Sequence, residues 1–384
     1  MHFADNRSKI GKYVPTFVFL IFIYGMALWF LFAPKTDYSS SEKRYLQKFP
    51  ETSIETIANG QFGSEFESYL ADHFPSRNFW VGFNAYYNLE IGNNGSSGVY
   101  SCDNGYLINE PVSTDNKIEK NTNAIVKFKD NVGVPITVMF APSTGYIAED
   151  VLPDVHNKYN DDTYFENASK TLTDNGISFV DLRDTFKEAY SNGSQLYYKT
   201  DHHWTTEGAY TAYTELCKSL ALEPVAKESL SVEKYDGFYG TTYSTSGFWL
   251  ADPDTVEVWN NPANTDNIKV KITEGTEVSE YDSMYFYDHI DEDDKYPVFI
   301  DGNHALTEIT NSNAKGGTLL MIKDSFSHSI APFLAENYSK VILVDMRYYK
   351  QSVSDIVAQE NPEQILVMYG IDNFATDTDI VWLK

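Results

Sequence analysis

The chain has 384 residues and a formal net charge of −26 at pH 7, with 42% hydrophobic and 15% aromatic residues. This length and apolar content predict an ordered protein that buries a large core. The acidic charge argues against binding to nucleic acid and against docking on anionic lipid, because both kinds of partner attract a basic surface.

The N-terminal segment predicts a membrane anchor. Residues 13–34 contain no charged side chain, and an apolar helix of this length spans a hydrocarbon core of roughly 30 Å. Arg7, Lys9 and Lys12 precede the segment, which places residues 1–12 in the cytoplasm and the C-terminal domain outside the cell membrane. A cleaved signal peptide is the alternative, but the apolar run is long for one and lacks a clear small-residue cleavage site.

The rest of the chain divides into a linking segment and a large domain. Residues 35–80 are interpreted as a tether and an amphipathic helix, because apolar residues recur with helical spacing over 52–74. Over residues 81–384, short apolar runs alternate with helical patterns, which is typical of a parallel sheet wrapped by helices. The stretch from about 231 to 315 has short alternating runs instead, and predicts an antiparallel β insertion in this α/β domain.

The stretch Tyr197–Gly208 is the first candidate for chemistry. It brings together Asp201, His202, His203 and Trp204 just before a predicted helix start. Side chains two residues apart in an extended segment point the same way, so the Asp201 carboxylate can orient the His203 imidazole as a general base. A metal site is the alternative, although no third ligand of suitable spacing is obvious.

A serine on a later turn is the candidate nucleophile. Ser325 follows the predicted strand 318–322 and precedes a predicted helix, whose N-terminal amides can stabilise an oxyanion. Serine needs an adjacent base to react, and His203 is the candidate. Arg347 and Tyr369 also come at the ends of predicted strands, so all three side chains are expected to share one rim of the sheet. The alternative for Ser325 is a helix N-cap.

Two further features have simpler interpretations beside functional ones. Gly302-Asn303-His304 follows the apolar run 298–300, which is interpreted as a strand, and these residues either form a plain turn or donate to an oxyanion. The acidic run 291–294 either binds a cation or forms a solvated loop, and its spacing does not match a calcium loop.

The segment Asp201-His202-His203-Trp204 resembles the signature of the bacterial DHHW protein family. The wider pattern, over about residues 62–384, is similar to alginate O-acetyltransferase proteins and other permuted SGNH-type hydrolase-like domains. This resemblance implies an SGNH-hydrolase-like three-layer α/β/α domain. It also implies roles for five residues, with a catalytic triad of Asp201, His203 and Ser325 and substrate-binding positions at Arg347 and Tyr369.

The order of the motifs departs from ordinary SGNH hydrolases. In those enzymes the serine comes first, in a Gly-Asp-Ser motif, and the Asp-x-x-His pair comes last. Here the aspartate and histidine precede the serine, and Lys323 stands where the glycine would be.

The expected function is a membrane-anchored, extracytoplasmic O-acetyltransferase that acts on a cell-surface or secreted polysaccharide through an acyl-serine. Two alternatives stay open, a carbohydrate acetyl esterase with the same triad and a non-catalytic glycan-binding or assembly protein. No cofactor and no metal are expected. The expected partners are the glycan and a membrane-bound acyltransferase that supplies acetyl groups.

Overall fold

The computed structural model describes residues 3–39, 41–113 and 117–384. The chain forms two compact units, Met1–Tyr87 and Asn88–Lys384. The elements that begin in the first unit are the helices α1 (Phe3–Phe32), α2 (Ile54–Ala58), α3 (Gln61–Asp72) and α4 (Arg77–Glu90), and the paired strands β1 (Tyr38–Ser39) and β2 (Arg44–Tyr45).

Helix α1 carries the long apolar segment. Among the described helices, only its Gly11–Phe32 part is long and apolar enough to cross a membrane. The large apolar side chains of this part are mostly exposed, as at Phe17 and Ile21. Such a helix is compatible with a membrane anchor or with a signal sequence.

The amphipathic pattern over residues 52–74 forms two helices rather than one. Helices α2 and α3 are separated at Asn59 and Gly60, and Gly60 has a φ of 82°. A glycine adopts this left-handed conformation without steric cost, so the chain turns there although the apolar spacing continues.

The second unit contains the large sheet. Its helices are α5 (Lys117–Val132), α6 (Thr144–Ile147), α7 (Asp161–Asp174), α8 (Arg183–Ser191), α9 (Thr206–Leu220), α10 (Thr241–Ser246), α11 (Ser327–Asn337), α12 (Val353–Glu360) and α13 (Ile371–Thr376). Its strands are β3 (Gly95–Ser96), β4 (Val99–Ser101), β5 (Leu107–Asn109), β6 (Ile136–Ala141), β7 (Ser178–Asp181), β8 (Ser231–Phe238), β9 (Asp254–Asn260), β10 (Ile268–Glu274), β11 (Glu277–Tyr281), β12 (Leu306–Asn311), β13 (Gly316–Lys323), β14 (Tyr338–Val344) and β15 (Gln364–Gly370).

The main sheet has the strand order β11-β10-β12-β14-β13-β15-β6-β7. The strands from β14 to β7 pair in parallel, while β10, β11 and β12 add antiparallel pairs at one edge. The C-terminal ends of β14, β13 and β15 therefore lie side by side at one end of the sheet. In sheets of this kind the ligand crevice lies beyond those ends.

Helices cover both faces of the sheet, which gives three layers. Along β13, Leu319 and Met321 face one core with α8, α9 and α11. Leu320 and Ile322 face the other core with α5, α7, α12 and α13. This alternation follows from the two-residue period of a strand. The unit is thus a three-layer mixed α/β domain with a mostly parallel sheet, as the sequence predicts.

The stretch predicted as a β insertion contributes to two sheets. Strands β8 and β9 form a separate antiparallel pair, whereas β10, β11 and β12 extend the main sheet. The predicted strand over residues 298–300 is wrong, because Tyr296–Val298 is a 3₁₀ turn. Ile300 and Asp301 follow it with positive φ values of 50° and 62°, and a strand cannot adopt this conformation.

Candidate active site

Three side chains form a continuous hydrogen-bonded chain at the C-terminal end of β13. His203 Nε2 lies 2.7 Å from Ser325 Oγ, and His203 Nδ1 lies 2.5 Å from Asp201 Oδ1. The three residues are between 2% and 8% exposed. This is the geometry by which a carboxylate orients an imidazole that removes a proton from a serine hydroxyl.

The histidine comes from a short loop that is closed by its neighbours. Tyr197 and Trp204 form an antiparallel bridge across this loop, and the Tyr198 amide donates to the His203 carbonyl at 3.2 Å. Thr205 then caps α9 by accepting from the Gly208 amide at 3.2 Å. The loop and the helix start together fix the backbone on both sides of His203.

Trp204 attaches this loop to the loop that carries the serine. Its buried indole N–H lies 2.9 Å from both the Phe326 carbonyl and Ser329 Oγ. A buried indole N–H requires such a partner. Because Phe326 is the residue after Ser325, the contact sets the distance between the base and the nucleophile.

The Asp201 carboxylate is held by groups on two sides. One oxygen also accepts from the His203 amide at 2.8 Å, and the other accepts from the Thr241 amide at 2.7 Å. Gly240 lies so close that a Cβ there would be 2.1 Å from the Asp201 Cβ. Burial opposes ionisation, but His203, His202 and these hydrogen bonds hold the pKa of the Asp201 carboxyl well below its usual range.

Asp254 supports the same loop from β9, and no sequence motif indicates this role. Its carboxylate accepts from the Lys199 amide at 2.9 Å, from the Thr200 amide at 2.7 Å and from Thr200 Oγ1 at 2.6 Å. Burial raises the pKa of this carboxyl against the effect of the hydrogen bonds. The hydrogen bonds to Asp254 position Thr200, the residue that directly precedes Asp201.

The serine loop is shaped by the Asp324 side chain. One carboxylate oxygen accepts from the Phe326 amide at 3.0 Å, and the other accepts from the Gly370 amide at 2.8 Å and Asn373 Nδ2 at 2.7 Å. Burial raises the pKa of Asp324. In the part of the chain that the structure describes, the Ser325 amide N–H has no hydrogen-bond acceptor. It is therefore a donor available to an oxyanion.

Tyr296 is a second neighbour of the triad that sequence reasoning missed. Its ring is parallel to the His203 imidazole, with 4.0 Å between centroids and 10° between planes. Its hydroxyl donates to the Ser325 carbonyl at 3.1 Å. Tyr296 comes from the 3₁₀ turn described above, in a stretch whose sequence gives no indication of the site.

His202 lies beside the triad and has its own partner. Its Nδ1 is 2.5 Å from Thr241 Oγ1, and its ring centroid is 3.9 Å from that of His203. The segment 201–203 is a bend rather than an extended strand. The two imidazoles therefore lie close together instead of pointing in opposite directions.

The two predicted substrate-binding residues lie at the ends of β14 and β15, the strands on either side of β13. The Arg347 guanidinium contacts both oxygens of Asp345, at 2.9 and 2.6 Å, and Asn303 Oδ1 at 2.8 Å. Tyr369 is 2% exposed and packs against Phe374 in the core layer of α5, α7, α12 and α13. Trp204, which contacts the serine loop, packs in the other core layer, on the opposite face of the sheet. The structure therefore brings Asp201, His203 and Ser325 together but does not place Tyr369 beside them.

Lys323, which stands at the position of the glycine in ordinary SGNH hydrolases, is buried behind the serine loop. Its ammonium lies 3.1 Å from Asp345 Oδ2 and donates to His328 Nε2 at 2.9 Å. Burial lowers the pKa of Lys323, while the Asp345 charge opposes that effect. Burial also lowers the pKa of His328 well below its usual range, which keeps that ring neutral.

Ligand atoms of Asp201, His202 and His203 lie within 4.8 Å of one another, as in a metal site. However, both ring nitrogens of His203 are already within hydrogen-bonding distance of Asp201 and Ser325. A metal on His203 would have to displace one of these two partners. The arrangement therefore suits proton transfer better than metal binding.

Comparisons with known proteins show the family and the fold. The family model described as "DHHW protein" matches residues 152–344, about half of the chain. A DHHW family protein from Eubacterium siraeum has a similar structure, with a TM-score of 0.64 and 21% identity over 75% of this chain and 97% of that chain. PatB1 of Bacillus cereus, solved with a sulfonyl adduct, has a TM-score of 0.62 and 19% identity over 74% and 98% of the two chains.

One curated relative is the probable alginate O-acetylase AlgJ of Pseudomonas fluorescens, which is 22% identical over 174 residues. The match covers 43% of this chain and 44% of that protein, so the chain spans less than half the length of this relative. The family match includes the Asp-His-His-Trp loop and Ser325, whose geometry is described above. The chain belongs to the DHHW protein family.

Proposed function

We propose that this protein is an O-acetyltransferase that acts on a polysaccharide outside the cytoplasmic membrane. The observation that carries the proposal is the pair of short contacts at His203, 2.7 Å to Ser325 Oγ and 2.5 Å to Asp201 Oδ1. The similarity to a probable alginate O-acetylase supports a polysaccharide O-acetyltransferase-like activity.

The first half of the reaction forms an acetyl-serine. His203 Nε2 removes the proton from Ser325 Oγ while this oxygen attacks the carbonyl carbon of an acetyl donor. The free Ser325 amide N–H stabilises the resulting oxyanion. When the intermediate collapses, the donor's leaving group departs with the proton from His203, and the acetyl group stays on the serine.

The second half transfers the acetyl group to the acceptor. A sugar hydroxyl loses its proton to His203, and its oxygen attacks the acetyl-serine. Collapse of that intermediate releases the O-acetyl sugar and returns the proton to Ser325. If water takes the place of the sugar, the same groups give an acetyl esterase, so exclusion of water and affinity for the acceptor decide between the two activities.

Substrate binding is proposed for Arg347 and Tyr369, the residues at the ends of the neighbouring strands. The Arg347 side chain is about one-third exposed although Asp345 anchors it, so it can meet a ligand at the rim of the sheet. Tyr369 is buried, and its proposed contribution is to shape the wall behind the Asp324 loop.

The membrane part of the proposal rests on α1. Its Gly11–Phe32 part is long enough to span the bilayer, and the basic residues Arg7, Lys9 and Lys12 precede it. We propose a cytoplasmic tail over 1–12, an anchor over 13–34, a tether with helices over 35–80 and an extracellular catalytic domain over 81–384. An anchor in the bilayer would also allow contact with a membrane-bound acyltransferase that supplies acetyl groups.

Covalent labelling of the full-length protein in detergent micelles tests the mechanism. We expect a fluorophosphonate probe to label the wild-type protein and the Ser191→Ala control, whose serine is exposed on α8. We expect no labelling of Ser325→Ala, and a rate at least about 10³-fold lower for His203→Ala. Labelling that persists in Ser325→Ala would overturn the proposal.

The acceptor is tested with an activated acetyl ester and added oligosaccharides. Mass spectrometry that detects O-acetylated oligosaccharide identifies a transferase. Release of acetate alone, with every acceptor tried, identifies an esterase. Both outcomes require a reaction that depends on Ser325.

A further inference from the structure

A cleft of about 260 Å³ adjoins the triad. Its walls include His202 and Phe326, which are the sequence neighbours of His203 and Ser325. They also include Gly370 and Asn373, which donate hydrogen bonds to Asp324 in the serine loop. The volume lies at the small end of ligand pockets and suits one sugar ring better than a chain of several. The cleft therefore lies beside the two loops that carry His203 and Ser325.

One wall of the cleft carries a hydroxyl that has no partner. Thr242 lines the cleft and is 2% exposed. Within the described ranges of the chain, its Oγ1 has no hydrogen bond. Buried polar groups nearly always have a partner, either in the protein or in a bound molecule. A ligand hydroxyl in the cleft would supply it.

Ser143 and Asp372 also line the cleft, and Ser143 joins Asp372 to a second carboxyl group, that of Asp161, behind the lining. Ser143 Oγ lies 3.0 Å from Asp161 Oδ2 and 3.0 Å from Asp372 Oδ1. The Ser143 hydroxyl has one proton and can donate it to only one of the two carboxyl groups. Both contacts are hydrogen bonds when the other carboxyl group is protonated and donates to Ser143 Oγ. Burial raises the pKa of Asp372 to about 7 and that of Asp161 to about 6.

Asp372 has capacity left for a ligand. Its Oδ1 contacts Ser143, while Oδ2 has no hydrogen bond to the rest of the described chain. Asp161 uses its other oxygen to accept from the Ser143 amide at 2.8 Å. The titratable side chains around Asp372 are those of Asp161, Tyr159, Tyr164 and Tyr197, with Glu110 and His202 farther along the cleft.

In the described part of the chain, the cleft is lined by acidic side chains rather than by lysine or arginine. Its described lining residues include the carboxyl groups of Glu110 and Asp372 and the imidazole of His202, and they include neither lysine nor arginine. A sugar carboxylate in this cleft would face carboxyl groups with no lysine or arginine among the described lining residues to pair with it, which disfavours binding. A sugar that carries only hydroxyl or acetamido groups meets no such repulsion.

We propose that this cleft is the acceptor subsite and that it selects an uncharged sugar ring over a uronate, with Asp372, Ser143 and Thr242 binding the ring hydroxyls. This assignment rests on the proposed acetyl transfer, because it names the acceptor of that reaction. The proposed preference for an uncharged sugar distinguishes this protein from an enzyme whose acceptor is a polyuronate such as alginate.

Equilibrium binding to the full-length Ser325→Ala protein in detergent micelles at pH 7.5 tests the subsite without relying on turnover. The ligands are cellotetraose and chitotetraose, which are uncharged, and tetramannuronate, which is anionic. We expect the Kd of at least one uncharged oligosaccharide to be at least tenfold lower than that of tetramannuronate. Equal or tighter binding of tetramannuronate, or binding of neither uncharged ligand, overturns the proposal.

Two further substitutions in that protein locate the binding. Thr242→Val keeps the shape of the side chain, so we expect about a tenfold loss of affinity for the uncharged sugar without loss of folding. Asp372→Ala should weaken binding similarly, while Asp174→Ala, at an exposed carboxylate on α7, should not. Unchanged affinity in Thr242→Val and Asp372→Ala overturns the assignment of the cleft.

The catalytic proposal is measured separately, as hydrolysis of nitrophenyl acetate by the protein that retains Ser325. Ser325-dependent hydrolysis together with preferred binding of tetramannuronate means that the acceptor assignment fails while the acyl-enzyme mechanism stands. Selective binding of the uncharged sugar without hydrolysis means that the mechanism fails while the cleft remains a sugar site.

Discussion

The ring of Tyr296 stacks on the His203 imidazole at a centroid distance of 4.0 Å, and its hydroxyl donates to the carbonyl of Ser325 at 3.1 Å. One side chain thus contacts both the proposed base and the backbone of the proposed nucleophile. Because the ring covers one face of the imidazole, it restricts the rotation that would separate Nε2 from Oγ.

Substitutions of Tyr296 separate these two contacts. Tyr296→Phe keeps the stacked ring and removes the hydroxyl contacts with the Ser325 carbonyl and Ser329 Oγ. We expect a loss of about 1 kcal/mol of stability and a decrease in kcat of less than about tenfold. Tyr296→Leu removes the stack as well, and we expect a decrease in kcat of about 10²-fold. Ester hydrolysis and thermal unfolding of the two full-length variants measure this. Equal kcat values for the two variants would contradict a positioning role for the ring.

Trp204 provides the second test, since its indole N–H bridges the loop of the base and the loop of the serine. Trp204→Phe keeps an aromatic ring but leaves the Phe326 carbonyl and Ser329 Oγ without this donor. We expect the free energy of unfolding to fall by about 2 kcal/mol and kcat to fall more than the acceptor KM rises. Unfolding in denaturant and steady-state kinetics check this. A rise in KM alone, with kcat unchanged, would contradict the prediction.

The sequence was sufficient to predict the α/β fold. It also singled out Asp201, His203 and Ser325, and His203 lies within hydrogen-bonding distance of the other two in the structure. Local sequence patterns indicate each of these residues. Asp201 and His203 are indicated by their spacing within a polar motif, and Ser325 by its position after an apolar strand. Their approach to one another follows from parallel topology, because parallel strands have their C-terminal ends at the same edge of the sheet. Two motifs 122 residues apart in sequence can then be assigned to one rim.

Other parts of the site depend on information that local patterns do not contain. Tyr296 reaches the triad from a 3₁₀ turn, and Asp254 reaches Thr200 across a separate strand pair. Tyr369 follows Met368 by one residue and therefore lies on the opposite face of the sheet, a difference that depends on strand register. The strand predicted at residues 298–300 was wrong, because an apolar run does not exclude positive φ angles.

His202 and His203 give the third prediction, since the two imidazoles differ in their partners. His203 contacts Asp201 and Ser325, whereas the Nδ1 of His202 contacts Thr241 Oγ1. We expect His203→Ala to lower kcat by about 10³-fold or more and His202→Ala to lower it by less than about tenfold. The ratio of the two kcat values for ester hydrolysis measures the difference. Comparable losses would mean that His202 also takes part in proton transfer.

The fourth prediction concerns the pH dependence of stability at the pair of carboxyl groups around Ser143. Burial, together with the neighbouring Asp161, raises the pKa of Asp372 to about 7 in the folded protein, above its value of about 3.9 in an unfolded chain. The folded state therefore binds more protons than the unfolded state between about pH 4 and pH 7. The free energy of unfolding falls as the pH rises through that interval.

Asp372→Asn removes this titration and retains a side chain that can accept a hydrogen bond from Ser143. We expect the variant to gain about 2.5 kcal/mol of stability relative to wild type when the pH is raised from 5 to 8, since each pKa unit corresponds to about 1.4 kcal/mol. Denaturant unfolding of the full-length proteins at both pH values measures the gain, with Asp174→Asn as the exposed control. An equal pH dependence in wild type and Asp372→Asn would show that Asp372 is ionised throughout this range.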